Sequence, residues 1–463
     1  MQSVKLNPAD LLKALQPVLK KRLKVIIMWA KEGRLSVADA KYHAVVAEIP
    51  CAGDWRGPAE IEAQHFKKIL MILHDKETVS LLKESRHITA AAVIIKTAEL
   101  AELDKKRPID PRLYKNIETA QPVDSGLPGT NVILDDCVSS KHSFRKALFE
   151  SLRDKRLDED TETLLETYQA LQQHRKSKSD QLCPYLGDGQ CSGAEEEKYF
   201  RGADTYGCKC SLARELYSTD ALRIHENMTS DTGNDQLYTE TMQVMERLLL
   251  VNILRKFEQS NWLDLLSRVA IIIDGPLAVF GHPAWLKDCI QLEIRRINAL
   301  VKNKTGKDLL LIGIEKTGPF VDHLNRLDTR NGGRLGALTS QKPILLTDEY
   351  IKKRIIFRDS DKRYGSATYF GRKWFYKTKQ GALLVCSLPF LDKKQEQTET
   401  AEPDQFPRLA DALNTLDLLW SRRYPNAITP IISAHAEATI PLNMGQKILK
   451  ELAKEQIQGE KNA

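Results

Sequence analysis

Apolar residues fall into two periods along this chain. In "PADLLKALQPVLKKRLKVIIMWAKEG" and "GPAEIEAQHFKKILMILHDKETVSLLKES" they recur every three or four positions with polar faces between them, the spacing of amphipathic helices. Residues 1–120 therefore read as a helical N-terminal region, a packing or docking module. A connector bearing proline and glycine, "IETAQPVDSGLPGTN", leads to a short apolar run that ends in acid, "VILDDCVSSKHSF". Helical spacing returns over 144–175. It returns again, after a polar cysteine-bearing insertion at 176–215, in "QLYTETMQVMERLLLVNILRKFEQS".

The centre of the chain changes period. Ala270 to Ile273 form an unbroken apolar run, read as a buried strand that stops on Asp274 before Gly275-Pro276. The helical segment "WLKDCIQLEIRRINALVKNKTGKD" follows, and then a second apolar run, "LLLIGIEKTG". Strand, helix, strand in that order predicts a βαβ-like unit and an α/β fold. "GALLVCSLPF" reads as a further strand, "KKQEQTETAEPDQ" as a solvated loop, and "FPRLADALNTLDLLWSRRYP" as a closing helix. The expected architecture is a mixed sheet flanked by helices, with 1–120 as a helical extension and 121–463 as the main domain. The cysteine-bearing segment interrupts that domain.

Composition narrows the classes. A chain of 463 residues exceeds one typical domain, and 42% hydrophobic with 28% charged residues suits a globular protein with a real core. The formal charge of +7 permits a nucleic-acid partner without demanding one. The most apolar N-terminal run, "LKVIIMWAK", is far shorter than the roughly 20 residues of a spanning helix and lacks a cleavage site downstream. No membrane association is expected. Eight cysteines without a secretory signal point to a reducing cytoplasm.

Three acids stand in comparable positions. Asp135, with Asp136 beside it, and Asp274 each end an apolar run, and Glu246 borders the buried stripe formed by Met242, Met245, Leu249 and Leu250. A buried carboxylate needs a cation or a hydrogen-bond partner. Carboxylates converging from separate elements suit Mg²⁺ or Mn²⁺, which take oxygen ligands and orient an attacking water. Any one of these acids alone reads more readily as a turn or ion-pair residue than as a metal ligand.

The order of "VILDDCVSSK", "MQVMERLLL", "AIIIDGPLAVFG", "LLIGIEKTG" and "SAHAEATI" resembles the NurA nuclease family over roughly 131–450. The resemblance implies an RNase H-like core and a manganese-dependent DNA nuclease. It also implies a homodimer working with HerA, a hexameric DNA-translocating ATPase, in DNA end processing or anti-phage defence. Carried over by position, Asp135, Glu246 and Asp274 are the implied metal-binding acids, His435 the C-terminal active-site histidine, and Lys316 the lysine of a Gly-x-x-Lys strand. The first motif reads Asp-Asp-Cys where the family has Asp-Gly-Ser, so Asp136 stands as the alternative ligand to Asp135. On an extended strand only one of the two faces the site. Pro276 replaces the usual serine of the second motif.

Two further stretches carry chemistry. Cys183, Cys191, Cys208 and Cys210 cluster in one polar segment, as a structural Zn²⁺ site or as free thiols in an insertion. Residues 351–380 are dense in cations interleaved with aromatics, which reads as a DNA contact or as a β-hairpin with one buried face. Arg372 and Lys373 are its candidate DNA-binding residues. No phosphate-binding Walker loop occurs, so an ATP-driven step belongs to a partner. The competing functions are a metal-dependent nuclease, a catalytically weak adaptor for DNA and the ATPase, and a zinc-dependent binding module.

Overall fold

A computed structural model describes seven strand segments between residues 3 and 95, and then 118–175 apart from 130, 131, 135 and 158. Beyond these it describes 184–185, 205–207, 214–229, 234–329, 336–420, 428–432 and 434. The described N-terminal segments are strands. They are β1 (Ser3–Leu6), β2 (Val25–Lys31), β3 (Arg34–Asp39), β4 (Val45–Pro50), β5 (Ala59–Glu62), β6 (Val79–Leu82) and β7 (Ser85–Ile95). β2 to β5 make an antiparallel sheet in the order β4-β3-β2-β5, β1 pairs with β6, β7 pairs along its whole length with β8 (Glu118–Pro128), and the short β9 (Thr205–Gly207) and β10 (Glu215–Tyr217) pair with each other.

The helical reading of 1–120 is therefore corrected wherever that region is described, at 3–6, 25–31, 34–39, 45–50, 59–62, 79–82, 85–95 and 118–120, all of which are strands. "VIIMWAK" is rich in β-branched and aromatic residues, and the pairing Lys31↔Arg34 leaves only Glu32-Gly33 between two strands, a spacing that suits a hairpin. The connector reading is corrected too, because 118–128 is a strand. Pro122, opposite Ala91, is tolerated there because β7 and β8 form a two-stranded ribbon among the described residues, where each is an edge strand.

The centre forms as its periodicity predicts. β11 (Ala270–Asp274) runs parallel to β12 (Leu310–Glu315), and a helix from Leu286 to Thr305 joins them. That helix buries Cys289, Ile290, Ile294, Ile297 and Val301 on one stripe and ends at Gly306, whose left-handed backbone (φ 73°) closes on Lys302 O at 2.8 Å. β13 (Pro343–Leu345), β14 (Gly371–Lys377) and β15 (Leu383–Pro389) complete a mixed sheet in the order β11-β12-β15-β14-β13. The chain is thus an α/β protein with a five-stranded mixed sheet flanked by helices.

In chain order the described α-helices of nine or more residues are α1 (Ser140–Asp154), α2 (Leu164–Gln172), α3 (Asp235–Gln259), α4 (Leu286–Thr305), α5 (Pro319–Asp328) and α6 (Leu409–Leu419). Alternation along the strands sends Leu310, Ile312, Ile314, Trp374 and Cys386 to one face, where Ala412, Leu416 and Leu419 of α6 cover them. On the other face Leu311 joins the core shared with α3 and α4, while Phe375 and Val385 meet Phe320 and Leu324 of α5. No described helix is long and apolar enough to cross a membrane.

Charge also holds the layers together. Glu293 of α4 accepts from Arg255 of α3 (2.7 Å), His174 beyond α2 (2.8 Å) and its own neighbour Arg296 (2.8 and 2.9 Å). Burial alone would raise its pKa, but these donors outweigh burial and hold it down at about 2. A carboxylate depressed in the folded state contributes stability above its ordinary unfolded value and loses that contribution as pH falls through the folded one. Glu293→Gln is expected to cost about 2–3 kcal/mol near neutrality, with the difference from wild type vanishing towards the folded pKa. Urea unfolding across an acid pH series measures this, and a pH-independent difference would sink it.

Two loops depart from expectation. Residues 132–134 form no strand. Cys137 N–H closes a turn on Leu134 O at 3.0 Å, and Ser139 caps α1. The stretch 393–405, expected to be solvated, buries Gln395, Thr398 and Gln405, because its polar groups bond to one another and to the sheet.

Candidate functional site

The site is built where β11 and β12 end side by side. Asp274 is in register with Ile314, and Gly275 (φ 96°) then turns the chain, its N–H donating to Ile314 O at 2.7 Å. The following loop folds back across the sheet, with Leu277 seated over strand glycines. A Cβ on Gly313 would lie 2.6 Å from Ser387 Oγ and 2.8 Å from the Gly275 carbonyl oxygen, so only glycine permits this close approach. Val279 N–H donates to Thr368 O and Phe370 N–H to Leu277 O, each at 2.9 Å.

Lys316 stands just past β12. Side chains two positions apart share a face, so it meets Asp274 there, Nζ donating to Oδ2 at 2.7 Å. Both side chains are rather more than one-third exposed. Glu246 of α3 completes the group, its Oε2 3.6 Å from Arg247 Nη1. Burial raises the Glu246 pKa, as does the Asp274 charge, against the lowering pull of Arg247 and Lys316. Among the described residues nothing donates a hydrogen bond to Glu246.

Arg247 is a residue that the sequence reading missed. It is buried, and it donates from Nε to Ala278 O (3.1 Å) and from Nη2 to Pro276 O (3.0 Å), tying the loop after Asp274 to α3. Burial pulls its pKa down, against the Glu246 and Asp274 charges that hold it up. The available signal was a lone arginine inside the apolar run "VMERLLLV". About two helix turns away, Glu240 and His282 form a second polar group, with His282 Nδ1 3.7 Å from Glu240 Oε2 and Nε2 3.7 Å from Glu226.

Of the sequence-predicted residues, Glu246, Asp274 and Lys316 are brought together. Asp136 is not brought to them. It is exposed in a left-handed turn (φ 65°) before α1, and it is not among the charges that shift Glu246. Asp135, His435, Cys183, Cys191, Cys208 and Cys210 lie outside the described residues. Among those described, no group of three or more His, Cys, Asp or Glu is arranged to hold a metal ion.

Arg372 and Lys373 are corrected as surface DNA contacts, being only 4% and 3% exposed on the central strand β14. Arg372 is engaged with backbone carbonyls of Leu346, Gln397 and Thr400 and with Gln405 Oε1. Lys373 bonds to Glu315 of β12 and lies 3.9 Å from the Phe320 ring centroid. Such burial needs polar partners distant in sequence, which composition does not reveal.

No family model matches the chain, and neither curated proteins nor solved structures give a match.

Proposed function

We propose that this chain is a metal-dependent deoxyribonuclease of the NurA type, RNase H-like in its core and acting with a HerA-like ATPase on DNA ends. One observation carries the reading. Glu246, half-buried, with a raised pKa and no hydrogen-bond donor among the described residues, sits within electrostatic reach of Asp274 at the ends of two parallel strands.

That donor set fits a hard divalent cation, because two carboxylates forced together are relieved either by a proton or by a metal. Glu246 and Asp274 would hold Mn²⁺ or Mg²⁺. Bound there, the ion supplies Lewis-acid polarisation of the phosphodiester and a more acidic water. Asp135 is the expected further ligand, and His435 is expected to orient the scissile phosphate or assist proton transfer to the leaving oxygen. Lys316 balances the Asp274 charge and offers a partly exposed cation to a phosphate oxygen.

Cleavage of end-labelled linear DNA with Mn²⁺, Mg²⁺ or EDTA, with and without a HerA-like ATPase, tests the proposal. Metal-dependent cutting is the expected result. No cutting under any condition, with both proteins folded and bound, moves the assignment to the adaptor. That second reading has one observation in its favour, namely that Lys316 already partners Asp274.

DNA contact is better assigned to another part of the basic aromatic stretch. Phe357 is 74% exposed and left-handed (φ 55°), and it follows the π-helical turn Ile351–Ile356. Exposed Lys353, Arg354, Arg358 and Lys362 flank it, with Lys353 paired to Glu349. An exposed ring among cations suits stacking on unpaired bases. Phe357→Ala is expected to weaken single-stranded DNA binding about five- to tenfold with stability unchanged. Equal affinity by fluorescence anisotropy removes Phe357 from the interface.

A further inference from the structure

Where β14 begins, a cavity of about 30 Å³ lies beneath the loop 393–405. Its polar lining is Asp348, Arg363, Tyr364, Tyr369, Arg372, Lys373 and Thr398. Three of these side chains bring a buried polar atom with no hydrogen-bond partner among the described residues: Arg363 Nη1, Arg372 Nε and Thr398 Oγ1. Each orphan is unfavourable if nothing accepts from it. They come from three separate chain segments, and their frames are fixed. Arg363 packs 4.7 Å from the Phe390 ring centroid and Arg372 4.7 Å from that of Phe406.

Charge separates an anion from trapped water as the occupant. Of the cations here, Lys373 is neutralised by Glu315, and the pocket's one acid, Asp348, is satisfied by Lys352 (2.6 Å) and Tyr364 N–H (2.5 Å). The two arginines remain. Burial, and then the Arg363 charge, pull the Arg372 pKa down to about 10, against the opposing pull of exposed Glu399. Tyr369 stays protonated, since burial drives its pKa far up, and the pair Tyr364 Oη···Tyr369 Oη at 3.3 Å leaves one hydroxyl proton to donate. Donors converging from several directions on an uncompensated positive pocket suit a tetrahedral oxyanion.

We propose that this pocket is a phosphate-binding site, in which Arg363, Arg372 Nε, Thr398 and one tyrosine hydroxyl hold the oxygens of inorganic phosphate or of a terminal phosphate monoester. The proposal does not depend on the nuclease reading.

The test is thermal unfolding of the whole protein against inorganic phosphate, with chloride at matched ionic strength, for wild type, Thr398→Val and Arg363→Gln. A saturable rise in Tm specific to phosphate is expected. Affinity should fall about fivefold to tenfold in the isosteric valine variant and about tenfold or more in the glutamine variant. No phosphate-specific shift in wild type overturns the proposal, as does undiminished affinity in Thr398→Val, whatever the folding of Arg363→Gln. Competition with oligonucleotides then identifies the source. Displacement by a 5′-phosphorylated but not a 5′-hydroxyl strand assigns a nucleic-acid end, and displacement by neither assigns the free ion or a small monoester.

Discussion

Replacing Asp274 by asparagine is expected to lower metal-dependent DNA cleavage by about three orders of magnitude, ~4 kcal/mol of activation free energy, with Tm within about 2 °C of wild type. Activity and stability separate here because of exposure. The Asp274–Lys316 pair is more than one-third solvated at both ends, and such ion pairs contribute little to folding. Asparagine preserves the volume, the end of β11 and the turn at Gly275, so the loop keeps its anchors on Ile314 and Ser387. What is lost is one of two converging carboxylates. Glu246→Gln should act on the same centre, and the double variant should be little worse than either single one, because groups that serve one ion are not additive. Retention of more than a tenth of wild-type activity in the Asp274 variant would make "IIIDGP" an ordinary turn.

Half of this site was legible because two simple periods place it. An apolar run of four, an amphipathic helix and a second apolar run define parallel neighbours, and residues leaving such neighbours in register meet at their ends. That rule alone brings Lys316 to Asp274. Glu246 was legible for a different reason, as an acid bordering an apolar helical stripe. Illegible features depend on long-range pairing. "VIIMWAK" fits either a helix or a strand by local pattern, and only its partners Arg34–Asp39 and Ala59–Glu62 decide it. The run 132–134 has the composition of a strand but no partner among the described residues, so Asp136 ends in a turn. Arg372 and Lys373 look like surface cations until Glu315 and the carbonyls of distant loops arrive to satisfy them.

Arg247→Met is expected to destabilise the fold by about 3–5 kcal/mol and to change the pH dependence of whatever activity remains. Methionine fills much of the volume but leaves the Pro276 and Ala278 carbonyls without their donors, freeing the loop that carries the chain away from Asp274. It also strips Glu246 of its nearest cation. With burial and Asp274 still raising the Glu246 pKa, losing Arg247 pushes it further up. A carboxylate that must be ionised to act then becomes ionised at a higher pH, so the acidic limb of the cleavage profile moves to higher pH. Arg247→Lys separates the two roles, since it keeps the charge but reaches one carbonyl at most. It should return the limb towards wild type while remaining less stable in urea. A purely structural arginine would lower the folded fraction in both variants and leave the limb where it was. That outcome would detach Arg247, and with it the raised pKa of Glu246, from the chemistry at Asp274.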